Sequence, residues 1–397
     1  MKPFAVLDNL YWVGALHPDL RVFDIIMTTK NGTTYNSYLI LDEKVAVIDT
    51  VKGKFSEGYL EHISELVDPK RIDYVIVQHT EPDHGGSLEA LLAAAPQAEV
   101  VCAKAAAKYV ANTLNREVRM RTVGNRETLS LGKRTLTFLP APFIHWPDTM
   151  MTVLADEGVL FSCDLFGAHF CDSRMFDDLI PRDVWPDFQY YFESIMRPFR
   201  KNVHSALEKL SEFSIKLIAP SHGPIIRRDV EKYFAAYRQW SAPLPPNPTP
   251  QALIFYASAH GNTERMAEAV AQGLRSEGVE VELYDALNLN LAPYIEKIER
   301  ADALILGSPT INNDAVKPIW DVLNSLTTID IKGKVAACFG SYAWSGEATE
   351  LIQSRLAAMK LKLPLEPLRA MLVPSAEELE QCVRFGAELG RQLRVKE

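Results

Sequence analysis

Cysteine is scarce in this chain, and spacing pairs none of the few it has. Cys102, Cys163, Cys171, Cys338 and Cys382 are the only five in 397 residues. No two form a C-x-x-C, so local spacing builds no iron–sulfur or rubredoxin-type centre. An odd number without a framework reads as reduced thiols, which places the chain in the cytoplasm. Long apolar runs are also missing. No stretch reaches the roughly 18 uninterrupted apolar residues of a membrane span, so no membrane association is expected. The opening MKPFAVLDNLYWVG has no continuous apolar segment followed by a small-residue cleavage site, and no signal peptide is expected. Basic residues are in the minority, with 42 Lys and Arg against 51 Asp and Glu and a net charge of -9. That balance argues against a nucleic-acid partner, which needs a basic face. It fits plain solubility, or a small protein partner with a basic patch.

Hydrophobic residues supply 47% of the chain, enough for two cores at this length. The boundary falls in the Pro-rich SAPLPPNPTPQ (241–251), which can continue neither a helix nor a central strand. We divide the chain into residues 1–249 and 250–397. In the first part short strand-like runs dominate, among them TYNSYLIL (34–41), VAVIDTV (45–51), DYVIVQH (73–79), EVVCA (99–103), RTLTFLPA (134–141) and VLFSCD (159–164). Helical stretches intervene at 56–66, 86–95 and 105–114, with a longer run at 190–213. Two strand-rich halves with helices around them predict an αββα sandwich. In the second part strands and helices alternate from ALIFYAS (252–258) to a final helix over 376–395, which predicts a doubly wound parallel sheet.

At the end of one apolar run stands His79-Thr80-Glu81-Pro82-Asp83-His84, followed by Gly85-Gly86. On an extended segment the alternate side chains His79, Glu81 and Asp83 share one side, and His84 enters as the next helix begins. Two imidazoles and two carboxylates this close would repel and desolvate one another unless a cation held them. Three further candidates follow other apolar runs: His145 in IHWPD, Asp164 in SCDLFG and His222 in PSHGP. Each alone is more often a turn or capping residue than a ligand, but the compact cluster raises their weight. Four His, one Glu and two Asp are too many for one tetrahedral zinc and suit two metals. Zinc tolerates such donors, and imidazole mixed with carboxylate and open positions also suits non-haem iron.

This cluster resembles the metallo-β-lactamase superfamily pattern H-x-H-x-D-H, with Glu81 in place of its second histidine. Together with the downstream αβ alternation it resembles the flavodiiron proteins, also called A-type flavoproteins, over essentially the whole chain. The resemblance implies a metallo-β-lactamase-like first domain with two irons. His79, Glu81 and His145 would hold one, Asp83, His84 and His222 the other, and Asp164 would bridge them. Trp146, His169 and Tyr191 are further candidates for proton-donor or supporting roles, although packing is the commoner role of residues like Trp146 and Tyr191.

In the second part the run ALIFYAS leads into Ser258-Ala259-His260-Gly261-Asn262-Thr263 and then a helix. Short polar residues around a glycine expose amide N–H groups at a helix N-terminus, which suits a phosphate. A plain strand-to-helix turn is the alternative. Two more loops follow strands of the same sheet, Ser308-Pro309-Thr310-Ile311-Asn312-Asn313 and Ser341-Tyr342-Ala343-Trp344-Ser345-Gly346. Open α/β sheets bind ligands outside their strand C-termini, and Trp344 can stack on a flat ring. No G-x-G-x-x-G is present, which disfavours a dinucleotide. The pattern resembles flavodoxin and implies FMN.

The family resemblance implies an oxidoreductase that passes electrons from an external donor through FMN to the diiron site, reducing O2 to water, NO to N2O, or both. It leaves the donor open among a rubredoxin, a reductase and the deazaflavin F420. It also implies a head-to-tail homodimer, or a dimer of dimers, that places one chain's flavin beside the other's iron. Two other readings remain: a zinc hydrolase of the metallo-β-lactamase type fused to a flavodoxin domain, and a non-catalytic electron carrier or gas sensor.

Overall fold

In the computed structural model, which describes residues 1–394, alternating apolar residues build two facing sheets in a first unit, Met1–Pro243. The larger sheet runs in the order Phe4–Leu7, Leu10–Trp12, Tyr38–Ile40, Val45–Ile48, Ile72–Val77, Glu99–Ala103 and Met120–Val123. Its first four strands pair antiparallel and the remaining pairs are parallel. The smaller sheet runs Thr128–Ser130, Thr135–Pro140, Met150–Leu154, Val159–Cys163 and Leu217–Pro220. Period-two alternation sorts the strand residues between two cores. Ala46, Ile48, Ile76, Val101, Phe138 and Phe161 fill the layer shared by the two sheets. Val47, Val75, Val77, Val100 and Leu160 turn the other way, into the layer built with Ile63, Leu91, Val110 and Val203 of the helices. Ile72–Val77, Thr135–Pro140, Val159–Cys163 and Leu217–Pro220 each run directly into a segment bearing a predicted metal ligand.

The second unit, Leu244–Glu397, has a five-stranded sheet in the order Glu280–Asp285, Gln251–Tyr256, Ala303–Gly307, Val335–Tyr342 and Leu368–Met371. Every pair is parallel. The second strand in sequence lies on one side of the first and the third on the other, so the first strand is the switch point where such sheets bind ligands. Apolar layers cover both faces.

Several elements differ from the sequence expectation. The helical run expected over 190–213 is four pieces: an α-helix Trp185–Tyr191, a π turn Phe192–Met196, a 3-10 turn Arg197–Phe199 and an α-helix Arg200–Leu210. Pro198 has no N–H to continue the α ladder, so the chain rewinds there. Strands Met120–Val123 and Met150–Leu154 and the helix Val230–Ser241 were not anticipated. The Pro-rich stretch is shorter than expected, because that helix runs to Ser241 and a strand starts at Gln251. The contacts divide the chain at Pro243/Leu244, inside the Pro-rich stretch. The last helix spans Ala376–Arg394, and the expected Val395 lies outside the described residues.

Helices Asn262–Ser276 and Ala376–Arg394 pack backbone to backbone through two glycines. A Cβ on Gly273 would collide with the carbonyl oxygen of Val383, and one on Gly386 with that of Val270. Neither obstacle is a flexible side chain that could swing aside. Gly273→Ala and Gly386→Ala are each expected to destabilise the second unit by about 1–3 kcal/mol despite alanine's better helix propensity. Thermal denaturation followed by circular dichroism checks this, and an unchanged midpoint would show that the helices separate at no cost.

Candidate metal and flavin sites

The segment after Ile72–Val77 is held by two carboxylates. Asp49 accepts a hydrogen bond from Gln78 N at 2.7 Å. Asp148 accepts from Thr80 N at 2.9 Å and from Thr80 Oγ1 at 2.6 Å. Pro82 then opens a single helical turn, Pro82–Gly85, where its missing N–H costs nothing. His84 N and Gly85 N donate to Glu81 O at 2.9 and 2.8 Å. The glycine pair has a steric reason: a Cβ on Gly86 would strike Pro82 O and Gly53 N, so only glycine lets the turn 53–55 lie against this loop.

The seven predicted ligands converge, and they do so as two groups around Asp164. On one side His79 Nε2 lies 3.1 Å and His145 Nε2 3.3 Å from Glu81 Oε2, and the same two nitrogens lie 3.8 and 3.4 Å from Asp164 Oδ2. On the other, His84 Nε2 and His222 Nε2 lie 3.2 and 3.4 Å from Asp164 Oδ1. There Asp83 is 3.2 Å from His222 and 3.7 Å from His84. Asp164 thus turns one oxygen to each group. All these side chains except half-buried His145 are buried.

Outer partners fix three of the rings. His222 Nδ1–H donates to Thr34 O at 2.7 Å, His79 Nδ1 meets Asp148 at 3.3 Å, and His84 Nδ1 lies 3.5 Å from Asp49. A proton held on Nδ1 leaves the Nε2 lone pair directed inward. Sequence reasoning missed Asp49, Asp148 and the Thr34 carbonyl. Asp49 ends the run VAVID and Asp148 lies in IHWPD, but nothing local marks either as a partner of a distant imidazole.

The charges within the cluster shift one another strongly. Burial alone would lower the histidines. Hydrogen bonds to Asp164 and Glu81 instead raise His145 to about 10, and Asp164 and Asp83 raise His222 to about 9. His84 is raised well above its usual value by Asp164 and Asp83 against the same burial penalty. Burial opposes ionisation of Asp164, yet the neighbouring imidazoles hold it well below the carboxylate range. Without a cation the cluster therefore satisfies itself by protonated imidazoles, and incompletely: both oxygens of Asp83 are buried without a hydrogen-bond partner.

Of the other candidates, Tyr191 donates its hydroxyl to Asp164 Oδ1 at 3.2 Å, more than a packing role. His169 is buried with Nδ1 3.1 Å from Thr33 Oγ1 and with Nε2 unpartnered. Burial and the nearby His222 lower it to about 3, so it is neutral. Trp146 stands edge-on to His79, with ring centroids 5.0 Å apart.

In the second unit the three predicted loops are tied together. Gly261, at φ +79°, caps the helix Asn262–Ser276, and the first amides of that helix have no partner within it. Ser258 Oγ accepts from Glu264 N at 3.3 Å. Thr263 Oγ1 and Ser341 Oγ, 2.9 Å apart, join the first loop to the third. Ser308 Oγ donates to Pro309 O and accepts from Val316 N, which shapes the second. Asn312 and Asn313, both at positive φ, form the two-residue turn between Thr310–Ile311 and Asp314–Ala315. Ser345 donates to Asn313 at 3.1 Å, tying the third loop to the second. Ala348 N donates to Thr310 Oγ1. Tyr342, Ala343 and Gly346 are half-buried, while His260 and Trp344 are exposed, Trp344 at 76%. The loops thus leave a bare aromatic face and a ring of short polar groups beside a helix N-terminus.

Comparison with known proteins agrees with both halves. Residues 33–223 match the ODP family beta lactamase profile and residues 254–386 the flavodoxin profile. A flavo-diiron protein of Clostridium acetobutylicum is 41% identical, across 99% of this chain and 100% of that protein. A nitric oxide reductase of Moorella thermoacetica is 35% identical, across 99% of each. The structure of the rubredoxin oxygen:oxidoreductase of Desulfovibrio gigas superposes with a TM-score of 0.69 at 32% identity, covering 99% of both chains.

Two outcomes follow for the metal cluster. Raised histidines stabilise the fold fully below the unfolded value of about 6.5, and that contribution is lost as pH climbs through the folded values. Metal-free protein should therefore lose stability between about 6.5 and 10, following His222 at about 9 and His145 at about 10. Metal affinity should rise over the same interval, because the imidazoles must shed their protons to bind. Melting temperature against pH, with and without metal, reads both. Asp148→Asn should weaken metal binding about 10–100-fold by releasing His79 Nδ1, as measured by competition with a chelator; unaltered affinity would remove Asp148 from its orienting role.

Proposed function

Because this chain belongs to the flavodiiron, or type A flavoprotein, family, we propose that it reduces O2 to water, NO to N2O, or both, with electrons entering through FMN. The observation that carries this reading is Asp164, buried with one oxygen toward each of two donor groups. The donor chemistry fits two cations. Four imidazole nitrogens and three carboxylates converge, and both Asp83 oxygens are buried without a hydrogen-bond donor of good geometry. In this reading His79, Glu81 and His145 would hold one iron, Asp83, His84 and His222 would hold the other, and Asp164, with one oxygen toward each group, would serve both. The carboxylate at position 81 is a harder donor than imidazole and favours iron over zinc.

The irons, when bound, supply paired electrons to a small gas, and FMN supplies the entry for single electrons from the donor. The chain does the rest. Asp49, Asp148 and the Thr34 carbonyl orient the imidazoles. Tyr191 holds Asp164 through its hydroxyl, and neutral His169 keeps a free nitrogen in the buried wall. The amides at Gly261 to Thr263 and the hydroxyls of Ser258, Ser308 and Ser341 fit the FMN phosphate and ribityl chain. Trp344 fits the isoalloxazine face.

The substrate is a small gas and the reductant an external electron donor, for which rubredoxin, a reductase and F420 are all suited. We assign the metal chemistry to residues 1–249 and the flavin to 250–397. With the two cofactors in separate units, a head-to-tail homodimer in the cytoplasm is the arrangement we favour.

The deciding measurement is to reduce the FMN- and iron-loaded protein fully without air and mix it separately with O2 and with NO. Sustained consumption of either supports the reading and its ratio sets the preference; consumption of neither overturns it. In parallel, His79→Ala should lose iron at one position and gas reduction while its flavin spectrum stays intact. Normal turnover in that variant would remove His79 from the ligand set.

A further inference from the structure

A chain of three side chains runs from the protein surface towards the metal cluster. Lys54 is exposed, His17 is half-buried and Tyr35 is buried at 1% exposure. Lys54 Nζ lies 2.8 Å from His17 Nε2, and His17 Nδ1 lies 3.2 Å from the Tyr35 hydroxyl. The direction of both hydrogen bonds is forced. An ammonium has three N–H donors and no acceptor, so Lys54 donates and Nε2 carries the imidazole lone pair. A neutral ring then has its hydrogen on Nδ1, which donates to the Tyr35 oxygen. Burial and the charges of Lys54 and Lys52, opposed by Asp19, lower His17 and favour that neutral form. The Tyr35 hydrogen is left free for a third partner.

Tyr35 leads to the ligands. Its ring stands edge-on to His222 with centroids 5.9 Å apart, and the Asp83 and Asp24 charges act on its hydroxyl. Phe55 packs against both His17 and Tyr35, at 5.3 and 5.5 Å, which holds the two rings in register. The turn Gly53–Phe55, which carries Lys54, lies against Gly86 of the ligand loop. We propose that Lys54, His17 and Tyr35 form a proton inlet that feeds the metal cluster from solvent on its Asp83–His222 side. The proposal rests on the gas-reductase reading above. That chemistry consumes protons one for one with electrons: four of each for O2 going to two waters, two of each for two NO going to N2O and water.

For each proton delivered, the Tyr35 O–H bond breaks as a new bond to hydrogen forms on the gas being reduced. The His17 Nδ1–H bond breaks as the Tyr35 O–H re-forms, and Lys54 gives a proton to Nε2. Lys54 then takes a proton from solvent, and the imidazole resets as its Nε2–H bond breaks to solvent water while Nδ1 takes a proton back from water, so that one proton in all passes from solvent to the gas. The shifts are concerted along the two hydrogen bonds that already join the three side chains.

The test uses FMN- and iron-loaded protein, reduced without air and mixed with O2 or NO in weak buffer containing a pH-indicator dye. Proton uptake, flavin reoxidation and gas consumption are followed together. For Tyr35→Phe, His17→Gln and Lys54→Met the iron and FMN contents should match the parent. Proton uptake should slow, on the order of 10²-fold for Tyr35→Phe, with kcat falling rather than KM rising. The solvent isotope effect should change, and free imidazole should restore His17→Gly. Full iron with parental uptake rates and isotope effect in all three variants would overturn the inlet while leaving the gas reductase intact. A slowed rate that tracks lost iron and resists imidazole would show a purely structural role and overturn it as well. A parent that consumes neither gas would remove the function and the inlet together.

Discussion

Two groups of donors face the two oxygens of one buried carboxylate, Asp164, and this burial governs the first unit. A carboxylate taken out of water is tolerated only when opposite charges and hydrogen bonds replace its hydration. Here four imidazoles and the Tyr191 hydroxyl surround it. They arrive on segments following strands of both sheets, so the sandwich must bring those strand ends together before any of them is satisfied. The left-handed backbone of Cys163, immediately before Asp164, is one local cost of aiming it. Burial raises the thiol there above its usual value, which disfavours a thiolate beside Asp164.

How far the site was legible follows from how local each signal is. His79 to His84 crowd unlike charges into six consecutive residues, and that crowding has few explanations without a cation. His145, Asp164 and His222 each read as ordinary turn residues alone and gained meaning only from the first cluster. The residues that orient the rings escaped notice because their partners are distant in sequence: Asp148 is 68 residues from Thr80, and Thr34 is 188 from His222. The doubly wound sheet was legible because alternating strands and helices admit few other folds. The strands Met120–Val123 and Met150–Leu154 were not: MRTV is half polar, MMTVL is nearly all apolar, and four or five residues carry no period that separates strand from loop. The broken helix at 185–210 turns on Pro198, whose effect the apolar pattern alone does not display.

The two units are preorganised by different means. In the first, ionic and hydrogen-bonded contacts are buried, and removing one partner strands another. In the second, the loops are joined by neutral hydrogen bonds such as the buried Thr263–Ser341 pair and the exposed Ser345–Asn313 bond, each individually weak. A metal pair must be held to a fixed geometry through every turnover. A flavin changes charge and hydrogen bonding as it is reduced, and loops held by modest contacts can follow it.

Electrons and protons must meet at the same buried place. An electron added to a low-dielectric site without a compensating charge costs far more than one added in water, so each transfer there draws a proton with it. Electrons arrive through the flavin of the second unit, whereas the titratable groups named around the metal cluster belong to the first. The proton supply must therefore be built into the first unit. Its cluster has little slack of its own, because the protons on His84, His145 and His222 are displaced when cations bind. A separate path from the surface follows from that shortage, and Lys54, His17 and Tyr35 supply donors in the order such a path requires. Gly86 matters to both supplies: by letting the turn 53–55 lie against the ligand loop, it positions the ligands and the surface end of the proton path with the same close approach.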